Sequence, residues 1–150
     1  MRLRTFGLLC LVIMLWAGCK QQVPATSSAP EPADFSYLSE FDLKPYLEGI
    51  GKSAPFQNRL KRLTGKAYPV IILAMEKGNP QGILSDGLWY TLYADYEADG
   101  IKYQSTIVAD LPKNNLAAGH WDDKTDKVTH FIENAEKVPP PFRAWLEDWN

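Results

Sequence analysis

The chain has 150 residues, with 16 Lys and Arg against 18 Asp and Glu, a formal net charge of −2, and 45% hydrophobic residues. That balance offers no general attraction to nucleic acid, so a nucleic-acid partner is not expected. The length suits one domain that folds on its own packing.

Arg2 and Arg4 open the chain and an apolar run follows over residues 6–16, too short to span a bilayer comfortably as a permanent helix. Then comes Leu15-Trp16-Ala17-Gly18-Cys19, with small residues at the two positions before a cysteine. This resembles the lipobox of bacterial lipoproteins, although Trp16 stands where that family usually has Leu, Val or Ile. The resemblance implies a signal peptide over residues 1–18, cleavage before Cys19, a diacylglyceryl group on its thiol and acylation of the new amino group. The partner of Cys19 is then a lipid bilayer, and three acyl chains exceed what stable anchoring requires. Lys20 stands where lipoproteins kept at the inner membrane often have Asp. The expected location is therefore the cell envelope, at the outer membrane facing the periplasm.

Cleavage would leave 132 of the 150 residues, with 14 bases against 18 acids and a net charge of −4. Cys10 goes with the signal peptide and Cys19 carries lipid, so the folded part is expected to hold without a disulfide. Residues 19–34 comprise that cysteine and KQQVPATSSAPEPAD, a tether too poor in large apolar groups to repay ordering. The single globular domain is placed at residues 35–150.

Asp42 suits the cap of a short helix, with Leu43, Tyr46, Leu47 and Ile50 spaced for one face and Gly49 or Gly51 ending it. A second helix is better marked. Ser53 caps it, Pro55 sits in the first turn where its missing donor is harmless, and Gly65 can take the left-handed terminal position. Phe56, Leu60 and Leu63 share one face. Arg59, Arg62 and Lys66 share another, which reads as a solvated face complementing the helix dipole in preference to a grip for an anionic partner. Residues 68–77 stay open between strand and helix, because Val70, Ile71, Ile72 and Leu73 favour a strand while Pro69 and Gly78 punctuate a helix. Residues 78–87, with Asn79-Pro80 and Asp86-Gly87, read as a loop.

Residues 88–110, LWYTLYADYEADGIKYQSTIVAD, read as one long antiparallel hairpin around an Asp99-Gly100 turn. In that register Tyr90 faces Ala109, Leu92 faces Ile107, Tyr96 faces Tyr103, Glu97 faces Lys102 and Ala98 faces Ile101. One face, with Tyr90, Leu92, Ala94, Tyr96, Tyr103, Ser105 and Ile107, needs cover. The other, with Trp89, Thr91, Tyr93, Asp95, Glu97, Lys102 and Gln104, can meet water. Trp89 and Tyr93 among those charges read equally well as a binding patch or as residues covered by the loop at 78–87.

Beyond the hairpin, residues 116–121 read as a strand with Gly119 as a bulge position. Residues 127–132 read as a fourth strand, preferred over a helix that Val128, Phe131, Ile132, Ala135 and Val138 would also fit. Pro141 suits a first helical position, and Phe142, Trp145, Leu146 and Trp149 form an apolar stripe expected to cover the hairpin's apolar face. The expected class is α+β: an antiparallel β meander with helices packed on one face and a C-terminal amphipathic helix.

After processing no thiol nucleophile would be available, and no glycine-rich phosphate cradle or GxSxG elbow is present for catalysis. His120 and His130 flank the acidic turn of Asp122, Asp123 and Asp126, and equal parity on paired strands would put both rings on one face. The spacing fits no recognised zinc or calcium loop, and solvated strand histidines are the preferred reading. No catalytic residue, metal or cofactor is therefore expected.

The succession SAPFQNRLKRLTGKAY, LWYTLYADY, IKYQSTIVAD, LAAGHW, KVTHFI and PPPFRAWLEDW resembles the inhibitors of vertebrate lysozyme in element order. In that family a loop between strands, closed by a cysteine pair around a histidine, plugs the enzyme's cleft. Here the hairpin tip reads Tyr96-Glu97-Ala98-Asp99-Gly100 instead. The resemblance implies a non-enzymatic binding domain that inhibits, or gives immunity to, a cell-wall hydrolase or delivered toxin. The expected contact residues are Trp89, Tyr93, Asp95, Glu97, Asp99 and Lys102, whose acids would be steered toward a basic cleft. The alternative is an envelope assembly or scaffolding lipoprotein that binds through the basic helix or an edge strand.

Overall fold

The computed structural model describes residues 34–149. The expected signal peptide, Cys19 and residues 20–33 of the expected tether lie outside the described residues. A 3-10 turn over Ser36–Phe41 buries Phe35 and Leu38, and is followed by α1 (Ala54–Thr64) and α2 (Tyr68–Gly78). Five strands then run β1 (Ile83–Ser85), β2 (Trp89–Ala98), β3 (Ile101–Asp110), β4 (Asn115–Asp122) and β5 (Lys127–Ile132). The chain closes with α3 (Pro140–Glu147). The strands form one antiparallel sheet in sequential order, so the class is α+β as expected. No helix among the described residues is long and apolar enough to cross a membrane.

α1 starts and stops where its punctuation says. Ser53 occupies the cap position without a side-chain cap bond, Pro55 lies in the first turn, and Gly65 ends the helix at φ 54. α2 resolves the open segment as helix. Its buried positions Ile71, Ala74 and Met75 are spaced i, i+3, i+4, and Asn79 closes it in the left-handed conformation at φ 43. The β-branched run argued for a strand only because its partner surface, one face of the sheet, is invisible in the sequence.

The helix expected at 42–51 does not form. Asp42 Oδ1 accepts the Leu84 N–H at 2.8 Å, Leu43 N–H donates to Gly82 O at 2.7 Å and Tyr46 N–H to Pro80 O at 2.8 Å. This pairing with the stretch before β1 supplies the hydrogen bonds a short helix would have made internally. Tyr46 and Ile50 are buried as the periodicity suggests, whereas Leu43 is 64% and Leu47 46% exposed. The loop read at 78–87 likewise contains β1, which pairs Ile83 with Thr91.

The hairpin register is the one read from the turn, from Trp89 opposite Asp110 to Ala98 opposite Ile101. Tyr90, Leu92, Ala94, Ile107, Ala109, Leu116 and Ala118 form one core with Phe56, Leu60, Ile71 and Met75 of α1 and α2. Each large side chain fully buried there contributes about 1.5–3 kcal/mol. α3 does not join that core. Phe142 and Trp145 pack on the opposite face, against Val108, Ala117 and Trp121. Two helices already occupy the Tyr90 face, and the other face offers room where Gly119 lies under the Trp145 ring, which a Cβ would overlap. The pairing through Gly119 is regular, so the glycine makes space and is not a bulge.

Candidate functional site

The positions singled out in the hairpin rest on a projecting β finger. β1 leaves β2 at Thr91, and β4 accompanies β3 only as far as Tyr103 opposite Asp122, with Asp123 N–H reaching Lys102 O at 3.1 Å. Residues 97–102 thus stand past both neighbouring strands. The turn is tight because Asp99 and Gly100 both take positive φ, 54° and 73°, the pair of values a type I′ connection needs. Asp99 and Gly100 satisfy this with an Asx residue and a glycine.

Glu97, Ala98, Asp99, Gly100 and Lys102 are all exposed, and Glu97 lies opposite Lys102. Asp95, Glu97 and Asp99 outnumber the single base Lys102, so the tip carries an acidic field. Asp95, Tyr96, Glu97, Lys102, Tyr103 and Gln104 border a groove of about 350 Å³ along the finger. Behind the tip, Tyr96 stacks on Tyr103 with ring centres 4.8 Å apart and planes 16° apart, and Tyr103 lies 6.0 Å from the His120 ring. Ser105 Oγ and His120 Nδ1 share a hydrogen bond of 2.8 Å. This file of rings joins the finger to the sheet, and aromatic pairs of this geometry add about 0.5–1.5 kcal/mol beyond area burial.

Burial lowers the His120 pKa from its ordinary value, partly offset by Asp122, so the ring favours the neutral form. Burial and the neighbouring Tyr103 and Asp122 raise the Tyr96 phenol. Tyr93, 43% exposed on the opposite face, is pushed up to about 12, first by desolvation and then by Asp95. Its hydroxyl remains a donor at any physiological pH.

The six expected contact residues are not all together. Glu97, Asp99 and Lys102 stand on the overhang and Tyr93 and Asp95 lie behind it, opposite Thr106 and Gln104 that β4 still flanks, whereas Trp89 packs half-buried against the α3 cluster at the hairpin's root. Six residue steps along the strand, about 20 Å, separate Trp89 from Asp95. The two histidines are divided as well. His120 pairs with Thr129 and His130 with Gly119, so neighbouring positions put the rings on opposite faces of the sheet. Among the described residues no group of three His, Cys, Asp or Glu side chains could hold a metal.

Arg59, expected on a solvated face, is committed to the fold. Its Nε and Nη2 donate to both Glu133 oxygens at 2.8 and 2.7 Å, Nη1 donates to Asn114 Oδ1 and Nη2 to Asn114 O, each at 2.8 Å. The guanidinium also lies 3.9 Å over the Phe35 ring. Charge spacing on α1 alone gives no signal for this, since every partner lies far away in the chain. It removes Arg59 from the basic surface that a scaffolding role would use.

The family model described as inhibitor of vertebrate lysozyme matches residues 55–150, which spans both early helices, the whole sheet and the terminal helix. Neither the comparison with curated proteins nor that with solved structures gives a match.

Proposed function

The chain belongs to the inhibitor of vertebrate lysozyme family, and on that premise we propose that it is a non-enzymatic inhibitor whose acid-tipped finger enters the cleft of a cell-wall hydrolase or a delivered toxin of that kind. The observation that carries this reading is the overhang of residues 97–102 past both β1 and β4. A convex, stiff and acidic projection suits a concave, basic site, and lysozymes are commonly cationic. Asp95, Glu97 and Asp99 would steer the encounter, with Tyr93, Tyr96 and Lys102 forming the shoulder that meets the cleft wall.

Acylated Cys19 would hold the domain at the outer membrane, where residues 20–34 let the finger meet an enzyme arriving in the periplasm. Lysis of susceptible cells by a cationic lysozyme, measured with and without the purified chain, tests the inhibitor reading. Protection that disappears in Glu97→Lys is the expected result; no protection, or equal protection by that variant, overturns it. Globomycin should enlarge the chain by its uncleaved leader, and an unchanged size would remove the anchor.

A further inference from the structure

α1 and α2 pack one side on the sheet and turn the other outward, and this layer differs in charge from the rest of the molecule. Residues 35–78 hold 7 Lys and Arg against 4 Asp and Glu, a net of +3, whereas residues 79–150 hold 6 against 12, a net of −6. Within α1, its 3-10 connector Gly65–Ala67 and α2, Glu76 is the only acid. Lys61, Lys66 and Lys77 are all exposed there, and Lys61 Nζ stands 6.0 Å over the Tyr68 ring. Complementing the helix dipoles explains bases in the last turns. Yet neither helix has an acid in its first turn, where the same effect would place one.

The same surface is apolar between its lysines. Ile71, Ala74 and Met75 are buried, so Val70 and Leu73 fall on the outward side, each 42% exposed, with Lys66 four residues before the first and Lys77 four residues after the second. Leu47 continues the patch past the end of α2, where its N–H donates to the Asn79 side chain at 2.9 Å and its own side chain is 46% exposed. Single exposed apolar residues are ordinary on a protein surface. Three on one surface edged by bases make an interfacial pattern, in which apolar groups enter the boundary of a bilayer while ammonium groups stay among its phosphates. The chain also enters the domain beside this layer. Phe35 lies 3.9 Å beneath the Arg59 guanidinium of α1, and residues 20–34 are all that separate it from Cys19.

We propose that the outer surface of α1 and α2 docks on an anionic phospholipid bilayer. Lys61, Lys66 and Lys77 pair with headgroup phosphates, and Leu47, Val70 and Leu73 bury their exposed area at the headgroup boundary. A second copy of the chain fits this surface poorly, because a two-fold axis would press one basic, acid-poor face against another. A bilayer complements the charge instead, and it repels residues 79–150 with their net of −6, so the domain has one preferred side toward the lipid. The helices then lift the sheet by one helix diameter, about 10 Å, and like charge holds the acidic finger off the surface. The inference rests on the anchoring reading of Cys19 for its setting, while its chemistry stands on this surface alone.

The test is flotation of the chain from Lys20 onward, which keeps every residue of both packed clusters and carries neither leader nor acyl group. Vesicles of phosphatidylglycerol and phosphatidylcholine in equal parts are compared with vesicles of phosphatidylcholine alone. Flotation with the anionic vesicles only is expected, with release at about 0.5 M salt. Lys66→Glu combined with Lys77→Glu should weaken it tenfold or more, and Leu73→Ser threefold or more. All three positions are exposed, so circular dichroism should stay unchanged, and the charge-reversed chain should still protect cells from lysis. Absence of flotation, equal flotation with phosphatidylcholine alone, or flotation that survives the charge reversal overturns the proposal. A concentration-dependent dimer that Leu73→Ser breaks, without flotation, would give the surface to a second copy and overturn it as well. An unchanged size under globomycin would remove the anchor and leave a positive flotation result standing, so the two failures are distinguishable.

Discussion

Arg59 and Glu133 lie 74 residues apart in sequence and meet in a two-pronged ion pair of 2.8 and 2.7 Å. Glu133 Oε2 also accepts the Leu116 N–H at 3.0 Å, so one carboxylate ties α1 to the end of β5 and the start of β4. Planar two-point pairing is what a guanidinium does and an ammonium does not. Arg59→Ala should lower stability by about 2–4 kcal/mol, and Arg59→Lys should recover little of it. Urea unfolding of the three proteins at neutral pH checks this. Loss of under about 1 kcal/mol would mean that the pair is decorative.

Gly119 should tolerate almost nothing. A Cβ there would overlap the benzo ring of Trp145, and both lie in a packed layer. Gly119→Val is expected to cost about 1–3 kcal/mol through overpacking, with Trp145 fluorescence altered. The double variant Gly119→Ala with Trp145→Leu should be less destabilised than the two single changes added together.

The finger's charges should act on rate more than on fold. Glu97→Lys combined with Asp99→Asn, chosen because Asn accepts the positive φ of 54°, should shift unfolding by no more than about 0.5 kcal/mol. Association with a cationic lysozyme should slow by tenfold or more at low salt. That gap should narrow above about 0.1 M salt, where the Debye length falls to roughly 10 Å. Stopped-flow binding at three ionic strengths separates this from loss of fold, and a salt-independent rate would contradict steering.

Stability should depend on pH through His120. Its folded pKa lies below its unfolded value of 6.5, so the unfolded chain binds the extra proton between those two values. The contribution is therefore complete above pH 6.5 and is lost as pH falls from there to the folded pKa, below which it stays flat. His120→Gln should remove that slope between pH 7.5 and 5. Denaturant midpoints across this range, compared for the two proteins, provide the measurement.

Local rules sufficed where a segment's partner is near in sequence. Asp99-Gly100 and strict alternation gave every pair of the central hairpin, and Ser53, Pro55 and Gly65 bounded α1. They failed where a distant partner decides. Residues 42–51 have helical spacing, but their backbone pairs with residues 80–84, and Leu43 is held at φ 58. The stripe of Phe142 and Trp145 was legible as a buried face, whereas which side of the sheet it covers depends on Ala117 and Gly119 leaving space there. Glu97, Asp99 and Lys102 fall on the overhang, with Tyr93 and Asp95 behind it on the same face of the hairpin, because parity within a single hairpin is local information. Trp89 departs because α3, some fifty residues later, claims it.

β2 and β3 are clamped at their root between a helical layer above and α3 below, while none of residues 97–102 belongs to either packed cluster. Such a cantilever separates the work of folding from the work of recognition. Its last six residues are a natural grafting cassette: other turn-compatible hexapeptides could be exchanged there to retarget the scaffold, with the cost to the melting temperature confined to the turn itself.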